Sequence, residues 1–125
     1  MFFVGIFVGI NYHLLAFIFW KLTIPIQYVE IKMKFLTTFK INKGFDRWLK
    51  LVDELQPYME KYEYKMMFAC TNDEESRVWD MGEANNADLV NDFLNDQEVI
   101  NMRREAGVDL ESSEVLSMIS KHKIW

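Results

Sequence analysis

The sequence predicts an α+β domain with the element order β-α-β-β-α-β, preceded by an apolar segment of different composition. Two patterns lead to this prediction: four short segments resemble strands in composition or alternation, and two longer ones carry apolar residues at helical spacing. Half of the 125 residues are hydrophobic, 15% are aromatic and 26% are charged, which is typical of a folded chain. This length suffices for one domain and is short for two.

The first strand is predicted at Lys34–Ile41, where apolar and polar side chains alternate. The turn at residues 42–44 ends it. A helix follows, because four apolar residues recur at i, i+3, i+4 and i+7 and so share one helical face: Phe45, Trp48, Leu49 and Val52. Pro57 is expected to end or kink this helix, and the residues that follow are read as a connection.

A hairpin is predicted next, with strands at Tyr62–Thr71 and Arg77–Met81 joined by the polar turn of residues 72–76. Asn85 or Asn86 is positioned to cap a second helix, whose apolar stripe contains Leu89, Val90, Phe93 and Leu94.

Asp96 is positioned to cap a continuation of this helix, and Gly107 suits the position just after its end. Arg103 and Arg104 fall in the last turn, where cations meet the helix dipole favourably. The fourth strand is predicted at Glu114–Ser120, followed by a polar tail.

This element order is that of ferredoxin-like domains, in which two helices cover one face of a four-stranded antiparallel sheet. The uncovered face would be polar if it met water. The second, third and fourth predicted strands nevertheless carry apolar side chains in both phases. We therefore expect a homodimer in which two sheets pack face to face.

The opening MKFLTTFKINKGFDRWLKLVD, the element order and the apolar second face resemble the dimeric α+β barrel superfamily. Within it, the elements Thr38-Phe39-Lys40 and Phe45-x-x-Trp48 are similar to those of a family of short, uncharacterised bacterial proteins. The resemblance covers residues 33–125. It implies a fold and a dimer more firmly than an activity, because the superfamily includes cofactor-free monooxygenases, haem-degrading enzymes, isomerases and ligand-binding domains.

Residues 1–32 differ in composition from the domain predicted at residues 33–125. No charged residue precedes Lys21, and an apolar run of this length is sufficient to cross a membrane. Lys21, Lys32 and Lys34 follow it, so an inserted segment would leave the domain in the cytoplasm. A reading frame that truly starts at Met33 explains the same composition, and both interpretations stay open. Membrane attachment is expected only if residues 1–32 are translated.

Several functional classes are disfavoured. The net charge of −5 argues against binding to nucleic acid, which needs a positive footprint. One cysteine and two histidines leave no multi-thiolate or all-histidine metal site, and we predict no metal or cofactor. His122 is interpreted as a solvated tail residue, Cys70 as a small buried hydrophobe, and residues 73–75 as a solvated hairpin tip.

The candidates to line a ligand pocket between sheet and helices are Trp48, Tyr64, Met66 and Trp79. The favoured alternative is that these side chains belong to the core and the dimer interface. The favoured hypothesis is a small homodimeric protein that binds an apolar or aromatic molecule or serves as an interaction module. The alternative is a cofactor-independent monooxygenase or isomerase working in the same cavity, with unknown catalytic residues. A polar group with a perturbed pKa inside an apolar pocket would favour the enzyme. Arg77 and Asp80 are expected on opposite faces of the third strand, at a solvated edge.

Overall fold

The computed structural model describes residues Lys32–Trp125, which form one compact unit. The predicted segment 1–32 lies outside the described residues, apart from Lys32. The elements in chain order are β1 (Met33–Ile41), α1 (Phe45–Glu54), α2 (Gln56–Lys61), β2 (Tyr64–Thr71), β3 (Arg77–Ala84), α3 (Ala87–Asn95), α4 (Gln97–Glu105) and β4 (Val108–Ile119).

The four strands form one antiparallel sheet in the order β2-β3-β1-β4. The two central strands, β1 and β3, pair along almost their whole length, from Met33 opposite Ala84 to Lys40 opposite Arg77. This order, with the helices between strands, confirms the predicted ferredoxin-like α+β fold.

The core lies between the helices and one face of the sheet. Phe39 and Ile41 of β1 and Val78 of β3 face the helices, and their side chains are buried. Leu51 of α1 and Val99 of α4 are almost completely buried against them, with exposed fractions of 1% and 0%. Trp48 stacks on Phe45 at a ring-centroid distance of 5.6 Å, which extends the core along α1.

The second helical segment differs from its prediction. Helix α1 ends at Glu54, and the residues predicted as a connection form the short helix α2, in which Pro57 occupies the first turn. Proline is tolerated there because its missing N–H has no intrahelical partner in any case. Helix α2 contributes Met59 to the core, where it is 3% exposed.

Two strands are longer than predicted by several residues, whereas β1 gains only Met33. Strand β3 continues beyond Met81 to Ala84, since it is paired on both sides by β1 and β2. Strand β4 begins at Val108 rather than Glu114, and its polar first half is tolerated because it lies at an edge of the sheet. The result is a 12-residue edge strand.

Candidate functional site

A cavity of about 420 Å³ lies between the sheet and the helices. Its walls come from all four strands and all four helices. The exposed lining residues Leu94, Val115 and Met118, of α3 and β4, mark the side on which the cavity opens. A volume of this size is typical of a small-molecule site.

Aromatic rings form one wall of this cavity. The Tyr64 ring stacks between Phe35, at a centroid distance of 6.0 Å, and Phe93, at 5.4 Å. All three rings line the cavity. Gly82 is opposite Phe35 in β3 and leaves the space that Tyr64 occupies, because a Cβ there would lie 2.0 Å from the Tyr64 hydroxyl oxygen. The wall thus offers flat apolar surface to a ligand.

Asp80 brings a carboxyl group into this apolar space. It lies at the middle of β3, directly opposite Thr37, and is 3% exposed. The Thr37 hydroxyl donates a short hydrogen bond to it. Burial raises the pKa of Asp80 to about 6, although the Thr37 hydrogen bond and the positive charge of Arg103 act in the opposite direction. The carboxyl therefore exchanges its proton close to neutral pH.

Arg103 of α4 lines the same cavity. Its guanidinium makes no hydrogen bond or ion pair with any described residue. Burial lowers the pKa of Arg103, and the charge of Asp80 offsets part of this effect. Since a guanidinium stays protonated in proteins, the cavity contains a cation with unused donors.

Tyr64, which also lines the cavity, carries a further polar group, its hydroxyl. Burial raises the pKa of Tyr64, and the charge of Asp80 adds to the effect. The phenol is therefore neutral at physiological pH and acts as a hydrogen-bond donor. It makes no hydrogen bond within the described part of the chain.

Three of the four predicted pocket residues, Trp48, Tyr64 and Met66, line the cavity. The fourth, Trp79, does not; it is paired with Thr38 and lies on the opposite face of the sheet from Asp80. Whether any of the four contacts a ligand stays a prediction.

A bulge in β2 explains why its residues divide between the two faces. Met66 pairs with Gly82 and Phe68 pairs with Met81, so Met67 is an additional residue in β2. Met66 therefore faces the cavity, whereas Phe68 and Cys70 lie on the opposite face. The prediction of a buried Cys70 is wrong, since this thiol is free and exposed.

The sequence reasoning did not place Asp80 and Arg103 in the cavity, although both line it. Arg77 and Asp80 do lie on opposite faces, but the expected solvated edge for Asp80 is wrong, because β3 is a central strand. The sequence did contain one signal for Asp80, since this aspartate interrupts the apolar run Val78–Met81. A charged side chain is rarely buried without a partner, so its presence in such a run is unusual. Arg103 gave no signal beyond its position in the last helical turn.

The two remaining candidates, His122 and the hairpin tip of residues 73–75, are exposed at the surface. His122 is exposed, with its Nδ1 atom 3.4 Å from Lys34 Nζ. In the hairpin tip, Glu75 Oε1 accepts a hydrogen bond of 2.8 Å from the backbone N–H of Phe45, so this residue caps helix α1. Between Lys32 and Trp125 no cluster of three or more His, Cys, Asp or Glu side chains is arranged to hold a metal ion.

The helices of the described residues are all too short or too polar to cross a membrane. The predicted membrane anchor falls on residues 1–32, outside this part of the chain apart from Lys32.

No protein-family model matches the chain, and no curated protein matches it. Among solved structures, a structural genomics protein, YJCS, is similar at a TM-score of 0.47 and 17% sequence identity. The match covers 73% of this chain and 99% of that chain.

Proposed function

We propose that the protein binds a small, largely apolar or aromatic molecule in the cavity between the sheet and the helices. The observation that carries this proposal is a cavity of about 420 Å³ with an aromatic wall and few polar groups, among them Asp80 and Arg103. Ligand sites in proteins commonly combine an apolar lining with a few convergent polar groups.

A matched pair of leucines provides the test. Leu94 lines the open side of the cavity and is 41% exposed, whereas Leu49 of α1 lies outside the cavity and is 42% exposed. The Leu94→Trp variant of the full chain should bind the neutral fluorescent probe N-phenyl-naphthylamine about tenfold more weakly, because the indole narrows the entrance, a loss of roughly 1.4 kcal/mol. The Leu49→Trp variant should bind as the unsubstituted protein does. Equal affinities of the two variants would contradict the proposal.

A second candidate function is acid–base catalysis in the same cavity, as in a cofactor-independent monooxygenase or an isomerase. Asp80 favours it, since a buried carboxyl with a pKa of about 6 is suited to accept a proton from carbon near neutral pH. Arg103 would stabilise the negative charge that develops on the neighbouring oxygen.

Deuterium exchange tests this candidate. The protein in deuterated water should accelerate exchange at the carbon next to the carbonyl of tetralone, measured by NMR. The Asp80→Asn variant should lose this acceleration, while Asp92→Asn, an exposed aspartate of α3, should keep it. Exchange at the same rate with Asp80→Asn would exclude Asp80 as the base.

We also propose that the protein forms a homodimer in which the two sheets pack face to face. The face opposite the helices supports it, because Phe68 is 43% exposed there and Trp79 lies on the same side. Large apolar side chains left in water favour association. A second copy offers the same apolar surface about a two-fold axis.

Light scattering with size-exclusion chromatography measures this association. The protein should have the mass of a dimer, and Phe68→Lys should reduce it to that of a single chain, because charge on the apolar face opposes packing. The control is Leu49→Lys, which places the same charge at a similarly exposed apolar position on α1 and should remain dimeric. A single-chain mass for the unsubstituted protein at high concentration would overturn the dimer.

A further inference from the structure

The polar groups of the cavity define its ligand more narrowly than its apolar lining does. Arg103 presents a guanidinium that has no hydrogen-bond or ion-pair partner among the described residues. Arg103 is partly buried, and a carboxylate or a similar planar anion would satisfy its unused donors in a bidentate manner. The cavity thus has a place for an anionic oxygen.

This cation and the aromatic wall line the same cavity, and the combination limits the kind of ligand that fits. Tyr64 and Phe93 stack at 5.4 Å and line the cavity together with Arg103. A ligand whose aromatic ring packs against this wall could extend a polar substituent to the guanidinium of Arg103. The neutral Tyr64 hydroxyl is available as an additional donor to the same oxygen.

Asp80 faces the cavity as well, so an anion placed there meets a carboxyl group. Arg103 is not within ion-pair distance of Asp80, since no such pair occurs among the described residues. The carboxylates of the ligand and of Asp80, with the single guanidinium of Arg103, would leave an uncompensated negative charge in an apolar space. Protonation of Asp80 removes that charge.

Resting on the proposed ligand binding, we infer that the cavity takes a small aromatic carboxylic acid as its anion, held by Arg103, and that one proton is taken up at Asp80 on binding. No bond is made or broken. The proton comes from the solvent and remains on the Asp80 carboxyl while the ligand is bound.

The titratable and charged groups that line the cavity with Asp80 are Tyr64 of β2, Arg103 of α4 and Glu114 of β4. The facing residues of α1 are apolar, and Asn91 of α3 is uncharged. Tyr64 remains neutral and Arg103 remains charged around neutral pH. Burial gives Asp80 a pKa of about 6, so the protonated form becomes scarce above that pH and binding should weaken there.

Isothermal titration of the full chain with naphthoate and with its neutral carboxamide tests the charge requirement. At about pH 5 to 6, naphthoate should bind roughly 10- to 100-fold more tightly than the carboxamide, as expected for a charge-assisted hydrogen bond. Arg103→Met should abolish this preference and still bind the carboxamide. Arg104→Met is the matched control and should retain the preference, because its guanidinium is exposed and pairs with Glu111.

The pH dependence tests the proton. Naphthoate affinity should fall by up to about tenfold per pH unit above pH 6. Asp80→Asn should remove this decline, whereas Glu114→Gln should retain it.

These measurements distinguish a failure of the inference from a failure of the proposed ligand binding. If the carboxamide binds as tightly as naphthoate at every pH, or if Arg103→Met keeps the preference, the inference is wrong and binding of apolar ligands stands. A decline that persists in Asp80→Asn overturns the proton uptake. If neither probe binds, the proposed ligand site fails and the inference fails with it.

Discussion

The ring of Tyr64 lies directly against Gly82 of the neighbouring strand. A Cβ at residue 82 would be 2.0 Å from the Tyr64 hydroxyl oxygen and 2.5 Å from the ring carbon that bears it. Tyr64 can therefore stand between Phe35 and Phe93 only because this position of β3 has no side chain. One glycine thus determines how the aromatic wall of the cavity is placed.

Replacement of Gly82 by alanine should destabilise the protein by about 1–3 kcal/mol, because the added methyl displaces the Tyr64 ring. Chemical denaturation measures the free energy of unfolding. Most of the loss should disappear when Gly82→Ala is introduced into a Tyr64→Leu variant, which has no ring at this place. Equal costs in the two backgrounds would show that Gly82 and Tyr64 are not coupled.

Asp80 should make the stability depend on pH in the direction opposite to that of a typical salt-bridged carboxylate. Burial raises its pKa from 3.8 to about 6, so the folded chain holds a proton that the unfolded chain has released. The contribution of Asp80 to stability is therefore present below about pH 4 and is lost as pH rises to about 6. At neutral pH the charged, buried form costs up to about 3 kcal/mol.

Asp80→Asn should accordingly raise the free energy of unfolding at neutral pH, and its advantage should shrink as the pH is lowered toward 4. Denaturation of both proteins at several pH values gives this difference. Asp92→Asn, on the exposed face of α3, serves as the control and should give a small, nearly constant difference. An advantage for Asp80→Asn that increases toward acid would contradict the raised pKa.

Asp96 should contribute strongly to the stability of the helical layer, because its side chain accepts hydrogen bonds from α4 and from the residue that follows α2. Its Oδ1 atom accepts hydrogen bonds from the N–H groups of Glu98, at 2.9 Å, and Val99, at 3.4 Å, and caps α4. Its Oδ2 atom accepts a bond of 2.7 Å from the hydroxyl of Tyr62, which follows α2. The Tyr62 bond lowers the pKa of Asp96.

Asp96→Ala should therefore lower the free energy of unfolding, measured thermally or chemically, because two N–H groups of α4 and the Tyr62 hydroxyl lose their acceptor. Tyr62→Phe removes only the bond from the hydroxyl and should cost less than Asp96→Ala does. Asn101→Ala, at an exposed position within α4, is the comparison for general helix effects. If Asp96→Ala costs no more than Asn101→Ala, the capping role is refuted.

Glu75 should stabilise helix α1 from the hairpin tip. Gly44 precedes the helix and supplies no capping side chain, and Glu75 accepts the Phe45 N–H instead. Glu75→Ala should destabilise the protein by about 0.5–2 kcal/mol, and Glu75→Gln should restore most of this, since an amide oxygen also accepts. Asp73→Ala, in the same exposed turn, should be close to neutral in the same unfolding measurement.

Much of the fold follows from local pattern. Helices α3 and α4 begin where their capping residues predict, at Asn86, whose side chain accepts from the N–H of Leu89 at 2.8 Å, and at Asp96. Gly107 has a φ of 90°, as expected for the residue that ends α4. These features depend on residues close in the chain, which is why sequence alone predicts them.

The site depends on strand order and on one bulge, which local pattern does not contain. Asp80 lies within a run that reads equally well as an edge or a central strand, and only pairing with both β1 and β2 buries it. The extra residue Met67 cannot be recognised from alternation, because Met66 and Met67 are chemically identical. Residues that meet across the fold, such as Asp80 and Arg103, are therefore found only in three dimensions.

The additional residue at Met67 has a consequence for evolution. If Met67 were instead paired in regular alternation, every following side chain of this strand would lie on the opposite face, with Cys70 inward and Ala69 outward. A relative with one residue fewer here would therefore keep the same side chains facing the helices, with regular pairing in place of the bulge. Alignment with such a relative needs a one-residue gap at this point before the inward-facing positions correspond.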